Sequence, residues 1–440
     1  MTRPTTPEQA AAQAWFDHER FGLFVHFGLY SVAARHEWVM TRERTPVADY
    51  EKYADFFNPD LFDARQIARL AQNTGMGYAV LTTKHHDGFC LWDSKVTDYT
   101  SARHQGRDLV GEWVEALRAE GLRVGLYYSL LDWHHSDFTY DFHHPRRDDP
   151  DAREPHPERT MQAYRQYLKD QVRELLTNYG QIDYLFFDFS YPWESEGWKG
   201  KGKDDWGSQE LLDMCTQLQP GIIVNDRLDI PADLVTPEQY QPSAPMQVNG
   251  KRVRWEACQT LNGSWGYDRD NFDYKSPDML VRMLVDTVSK NGNLILNIGP
   301  DGRGAVSSAD EQALASIGQW MKLHRESIVG AGVADGFQAP EGTVLTRKAD
   351  RLYVHLLHWP FGHLHLPGLQ GKVRFARLLN DGSEIRTYHL PPEAEALTTE
   401  PGGQPEGTLT LVLPVRKPDV LVPVIELFLN ESEEETLPRS

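Results

Sequence analysis

The sequence predicts an α/β protein: a (β/α)8-like, TIM-type barrel over residues 1–335, then a small antiparallel β-sandwich over residues 336–440. Three observations carry this reading. Short apolar runs alternate with amphipathic helical patterns through the first three quarters of the chain. No Gly-x-Gly-x-x-Gly follows the first run, which argues against a dinucleotide-binding sheet. After Gly330 the pattern changes to short strands separated by Gly, Pro and an Asn-Asp-Gly turn, as in a sandwich.

The candidate barrel strands are residues 21–27, 78–83, 123–129, 184–189, 221–225, 253–257 and 293–298. Most are apolar at nearly every position, as strands buried on both faces must be, and 253–257 is the weakest by that test. Seven runs leave one of eight barrel positions empty. Helical patterns at 64–73, 108–120, 159–179 and 276–290 lie between them. Asp63 stands where the first needs an N-cap, and Ser276 followed by Pro277 opens the last. Gly75, Gly121, Gly180 and Gly292 mark the ends. The sandwich strands are read at 342–347, 351–357, 373–379, 385–390, 408–413 and 420–429, and the acidic tail 430–440 as frayed. Residues 141–158, crowded with Asp, Arg, His and Pro, read as an exposed loop.

Composition bounds the function. The chain has 440 residues, more than one typical domain, with 40% hydrophobic and 25% charged residues, which is globular composition. A net charge of -19 repels phosphate backbones and makes nucleic acid an unfavourable partner. No apolar run is long enough to span a bilayer, and residues 1–14 lack the basic and apolar regions of a signal peptide. Three scattered cysteines, Cys90, Cys215 and Cys258, form no zinc or disulfide pattern and fit a reducing compartment, so a cytoplasmic location is expected. A homo-oligomer is left open.

Chemistry in a barrel gathers at the C-terminal ends of its strands. There His26 ends the first run, His85, His86 and Asp87 follow the second, and Tyr127 and Tyr128 end the third. Asp188 ends the fourth, Asn225-Asp226-Arg227 the fifth, and Trp255-Glu256 lies in the sixth. The histidines raise the question of a metal. Adjacent strand residues point to opposite faces, so His85-His86 is a poor chelating pair, and His36-Glu37 lacks a second histidine at position 40, which is Met. No metal and no cofactor are expected, and His134, His135, His143 and His144 read as loop polarity. Trp38, Trp92, Trp133, Trp193, Trp198, Trp255 and Trp265 accompany the polar clusters, and indoles beside carboxylates suit a sugar's C–H face and hydroxyls. Any one of these tryptophans has a core role as its plainer reading. Glycoside hydrolysis needs two carboxyl groups. Asp188, between Phe187 and Phe189, is an acid in an apolar setting and the better candidate for a nucleophile.

At these residues the chain resembles the retaining alpha-L-fucosidase family. Phe21-Gly22-Leu23-Phe24-Val25-His26-Phe27-Gly28-Leu29-Tyr30-Ser31 and Lys84-His85-His86-Asp87-Gly88-Phe89 are similar to its first two motifs. Ser264-Trp265-Gly266-Tyr267 and the run from Ser289 to Pro300 are similar to two later ones. The resemblance spans nearly the whole chain. It implies a catalytic barrel plus β-sandwich that removes terminal alpha-L-fucose, exo-fashion, from a fucosylated oligosaccharide or glycoconjugate through a covalent intermediate. It implies Asp188 as nucleophile, and His26, Glu37, Trp38, His85, His86 and Tyr128 as holders of the fucose. Arg227 matches an arginine near the reaction centre, Trp265 an aromatic near the methyl, and Phe186 a position often filled by Trp. The acid/base is implied at Glu238, in Thr236-Pro237-Glu238-Gln239-Tyr240, with Glu256 as the alternative. Retention predicts carboxyls about 5–5.5 Å apart. Three rival readings stand beside it: a non-catalytic carbohydrate-binding protein on the same scaffold, a glycosidase for a related sugar, and a metal-dependent hydrolase. Residues 191–206, with Trp193, Trp198 and several lysines, border the leaving group or form a solvated loop.

Overall fold

The computed structural model describes residues 6–390 and 402–430. Among them, seven parallel strands form one curled sheet: β1 Phe21–Val25, β2 Tyr78–Lys84, β3 Arg123–Ser129, β4 Tyr184–Asp188, β5 Ile223–Val224, β6 Glu256–Thr260 and β7 Asn293–Ile298. Their order is β6-β7-β1-β2-β3-β4-β5, every neighbour parallel. Among the described residues the sheet is thus interrupted only between β5 and β6.

That gap is filled without a regular strand. Asn225 bridges Leu234, Val235 bridges Trp255, and Glu238 bridges Cys258, all in parallel sense. Val235 and Gln239 donate to the Arg254 and Cys258 carbonyls, while Glu256 and Cys258 donate back to Val235 and Pro237. Pro237 cannot donate to a ladder, so the pairing stays broken. Residues 233–239 therefore close the barrel as an irregular eighth stave, and Glu238 sits on it.

The strands' inward residues follow the two-residue period. Phe24, Tyr78, Val80, Tyr127, Tyr184, Phe186, Ile223, Leu234, Cys258 and Ile295 form one buried cluster inside the barrel. Ala12 and Phe16 join it from a helix, Pro7–Glu19, that plugs the N-terminal end. Tyr78 lies across this end because Gly22, opposite it, has no Cβ; one added there would overlap the tyrosine ring.

Among the described residues six further helices of eleven residues or more pack outside, among them Ala64–Thr74, Leu109–Ala119, Met161–Asn178 and Pro277–Ser289. Their caps are those the sequence offers: Asp63 accepts from Arg65 and Gln66, and Ser276 from Met279. Ser208–Leu218 and Ser308–His324 complete the set.

The C-terminal part holds two antiparallel sheets. One orders Gly332–Val333, Thr343–Lys348, Arg351–Leu356, Val424–Leu429 and Val373–Leu378; the other orders His363–Leu366, Leu409–Val412 and Arg386–Tyr388. Leu352, Val354 and Leu356 face Leu364, Leu366, Leu409 and Leu411 in the sandwich core. The alternate residue Tyr353 joins the barrel's core, His355 contacts Thr346, and Trp320 of Ser308–His324 donates to the Val422 carbonyl. The sandwich thus docks on the barrel's helical flank. The sequence reading missed His363–Leu366, an alternating His-Leu stretch too short to register. The tail 431–440 lies outside the described residues.

The stretch 141–158 is irregular and mostly exposed from 148 onward, as expected, but its first part is buried. Asp141 and His144 are fully buried, and Asp141 caps the amides of His143 and His144 while pairing with buried Lys201. His134 stacks on Tyr99 and His135 packs on Tyr167, each with centroids 4.0 Å apart. These four histidines are packed rather than solvated.

Candidate active site

At the C-terminal end of the barrel a cavity with about 380 Å³ of empty space is lined by residues including His26, Glu37, Trp38, His85, Asp188, Glu238 and Trp265. Phe24, Tyr127, Phe186, Phe189 and Cys258 complete the wall.

Two carboxylates meet there through one guanidinium. Arg227 Nη1 lies 3.4 Å from Asp188 Oδ1, and Nη2 donates to Glu238 Oε2 at 2.7 Å. Arg227 is delivered by a single 3₁₀ turn, Asp226–Leu228, directly after β5. Tyr127 Oη donates to Asp188 Oδ2 at 2.9 Å. Burial pushes the Asp188 carboxyl upward, nearby Glu238 adds to this, and Arg227 and Tyr127 oppose it. The next residue, Phe189, holds a φ of 124°, a strained conformation for a phenylalanine, where the chain turns away from the strand.

The histidines' protons can be assigned from their partners. Asn297 Nδ2 donates to the Trp265 carbonyl at 2.7 Å, so its Oδ1 faces His26 Nδ1 at 2.6 Å. His26 therefore carries its proton on Nδ1 and presents Nε2 as an acceptor. Burial drives its pKa down to about 3, so the ring is neutral. Ser129 Oγ donates to the Leu131 carbonyl and accepts from His86 Nδ1 at 2.6 Å, so His86 Nε2 is also an acceptor, 3.9 Å from Asp188 Oδ2. His85 Nδ1 is buried without a partner.

Glu37 accepts from the Gly266 amide on Oε2 at 2.8 Å. Its Oε1 lies 3.1 Å from His36 Nδ1, but that nitrogen accepts the Trp38 amide and has no proton to share. Oε1 is thus a buried oxygen without a donor, and burial pushes the carboxyl up to about 7. Trp38 and Trp265 wall the cavity. Trp265 packs on His26, with centroids 5.2 Å apart, and Trp38 packs on His86 at 4.9 Å.

Two expected residues are elsewhere. Tyr128 is buried on the outer face of β3, where its hydroxyl meets Lys84 Nζ at 2.9 Å and Gln171 Oε1 at 2.7 Å. Strand alternation gives the inward place to Tyr127 instead. Glu256, the alternative acid/base, opens β6 at the opposite end of the barrel, where Tyr78 and Tyr184 donate to its two oxygens. It does not line the cavity. Tyr127 stood at a strand end in the sequence; Asn297, in Leu296-Asn297-Ile298, had the same signal. Phe24 and Cys258 had none beyond the inward parity they share with His26 and Glu256.

The family model for alpha-L-fucosidases matches residues 2–326. The chain belongs to the alpha-L-fucosidase family. This alpha-L-fucosidase family member is therefore a glycoside hydrolase. It is 32% identical over 383 residues to human plasma alpha-L-fucosidase, covering 79% of this chain and 76% of that protein. Among solved structures it is similar to alpha-L-fucosidase isoenzyme 1 of Paenibacillus thiaminolyticus, at TM-score 0.87 and 41% identity over 96% of this chain and all of that one. It is also similar to a Bacteroides thetaiotaomicron alpha-L-fucosidase trapped as a covalent intermediate with 2-fluoro-fucosyl fluoride, at TM-score 0.82, 27% identity and 98% coverage of each chain.

Proposed function

We propose that this alpha-L-fucosidase removes terminal fucose from fucosylated glycans by double displacement, with Asp188 as nucleophile and Glu238 as acid/base. The observation that carries the assignment is the Arg227 fork, which holds both carboxylates at one cavity. Asp188 is anchored on a barrel strand; Glu238 lies half-exposed at the rim, on the side open to a leaving group.

The sugar's hydroxyls meet the acceptors left open by the protein: His26 Nε2, His86 Nε2 and Glu37 Oε1, with His85 Nδ1 beside them. A hydroxyl next to the anomeric carbon fits between His86 Nε2 and the nucleophile. The rings of Phe24, Phe186 and Trp265 form the apolar wall for the 6-methyl group. Phe186 offers no indole N–H there.

In the first step an Asp188 oxygen attacks the anomeric carbon and the bond to the leaving oxygen breaks. Glu238 gives its proton to that oxygen. Oδ2 is held by Tyr127, so Oδ1, only loosely approached by Arg227, is the freer nucleophile. In the second step Glu238 takes a proton from water, which attacks the same carbon and releases the Asp188 ester. Two inversions retain configuration.

The test is turnover of an aryl alpha-L-fucoside with EDTA present. Asp188→Ala lowers kcat by more than about 10³-fold. Glu238→Ala slows it by about 10²–10⁴-fold, and azide restores turnover with a fucosyl azide of retained configuration. Substantial activity in Asp188→Ala, or failure of azide to rescue Glu238→Ala, overturns the assignment.

A further inference from the structure

Beyond Asp188 the chain leaves β4 and forms a hairpin of Tyr191–Ser195 and Trp198–Lys201. It is held at both ends. At the base, Lys201 Nζ and Tyr191 Oη both donate to buried Asp141. At the tip, Glu196 and Gly197 take φ of 52° and 72°, the left-handed pair of a tight hairpin turn. Arg153 donates to both their carbonyls and covers the Trp198 ring at 4.4 Å.

Within this fixed frame the pairing register slips between Tyr191 and Glu194, leaving Pro192 and Trp193 as a bulge. Bulges re-aim side chains and recur beside active sites. Gly200 makes this one possible, since a Cβ there would overlap the Tyr191 and Trp193 carbonyl oxygens. The outcome is an indole 56% exposed on a backbone that has little freedom. A tryptophan left so open forgoes the apolar burial that favours its kind.

Ring contacts link this indole to the cavity wall. Rings lead outward from the cavity wall: Phe189 to Tyr191 at 5.4 Å, then Tyr191 to Trp193 at 6.5 Å. Around the barrel mouth β4 is followed by β5 and then by the closing segment. Trp193 thus follows the nucleophile's strand, and Tyr240, 54% exposed, lies two residues past Glu238 on the closing segment.

We infer that Trp193 and Tyr240 form a leaving-group subsite for the pyranose to which fucose is attached, the C–H face of that ring lying on the indole. The inference rests on the fucosidase reading above. It makes the natural leaving group a sugar, bound by stacking on a preorganised hairpin.

The test compares alpha-L-fucosyl fluoride, which has no leaving ring, with a panel of fucosyl-disaccharides of different linkage. In Trp193→Ala the ratio of kcat/KM for the best disaccharide to that for the fluoride falls about three- to tenfold, mainly through KM, and Trp193→Phe restores most of it. The disaccharide's free leaving sugar inhibits fluoride hydrolysis more weakly by the same factor. A ratio within about twofold of wild type in Trp193→Ala, and in the double Trp193→Ala/Tyr240→Ala variant, overturns the subsite. Wild type that hydrolyses the fluoride and no disaccharide overturns the subsite and leaves the fucosidase reading standing. Wild type that hydrolyses neither overturns both.

Discussion

Glu256→Gln separates the two acid/base candidates and weighs a buried charge in one experiment. Glu256 is fully buried at the plugged end of the barrel, its oxygens bonded to Tyr78 and Tyr184, and among the described residues no cation pairs with it. Burial raises its carboxyl from 4.5 to about 7, and the two tyrosine hydrogen bonds oppose the rise. A carboxyl raised in the folded state gives stability that is complete below the unfolded value and is lost as pH rises through the folded one. The loss spans about 2.5 units, or about 3 kcal/mol. Glutamine is isosteric, neutral at every pH and still able to pair with both hydroxyls. The difference in unfolding free energy between variant and wild type therefore moves in the variant's favour, by about 3 kcal/mol, from pH 4.5 to pH 8. Urea unfolding at several pH values measures it, and aryl-fucoside turnover in the same samples stays within about twofold of wild type. A pH-independent difference would remove the raised carboxyl. Loss of turnover with rescue by azide would make Glu256 the acid/base and refute the placement of Glu238.

Other outcomes follow from the same geometry. Asp188 must be ionised to attack, so kcat/KM falls as pH drops through its raised pKa; Arg227→Met removes the opposing cation and moves that acid limb to higher pH, and a limb that stays or moves down contradicts the pairing. Tyr127→Phe, which strips one hydrogen bond from the nucleophile, lowers kcat about tenfold, whereas Tyr128→Phe costs about 1–2 kcal/mol of stability with kcat kept; steady-state kinetics and thermal melts tell the two apart. His324 and His355, buried where sandwich meets barrel, have pKa values driven down by burial to about 4 and about 3. Their contribution is present above pH 6.5 and is lost as pH falls toward those values, so the difference in melting temperature between His355→Gln and wild type moves in the variant's favour from pH 6.5 to pH 4.

Much of this was legible in the residues. Runs such as Leu23-Phe24-Val25 and Leu185-Phe186-Phe187 announce strands buried on both faces, and polar residues at their ends, His26 and Asp188, announce the reactive end. Burial parity was not legible. Tyr127 and Tyr128 are adjacent and chemically alike, and only the register of β3 with β4, which sets Tyr127 beside Phe186, decides which one faces inward. Polar residues also blurred β6: Glu256, Gln259 and Thr260 lie inside the true strand, so the apolar test placed it three residues early. The closing stave was invisible for a related reason. Pro237 breaks its ladder, and the segment gains its place from isolated bridges to both neighbours. The plug Pro7–Glu19 shows no stripe, because its apolar residues are mostly alanines set all round the helix and it buries only Gln9, Ala12 and Phe16.

The central claim is that Asp188 becomes covalently bound to the sugar. Incubation with 2-fluoro-fucosyl fluoride, which slows release of the intermediate, followed by peptic digestion and mass spectrometry, locates the adduct. One fluorofucosyl group per chain is expected, on the peptide containing Asp188, and lost in Asp188→Ala. A label on another carboxylate, or turnover of an aryl alpha-L-fucoside that yields the inverted sugar with no label anywhere, would contradict it.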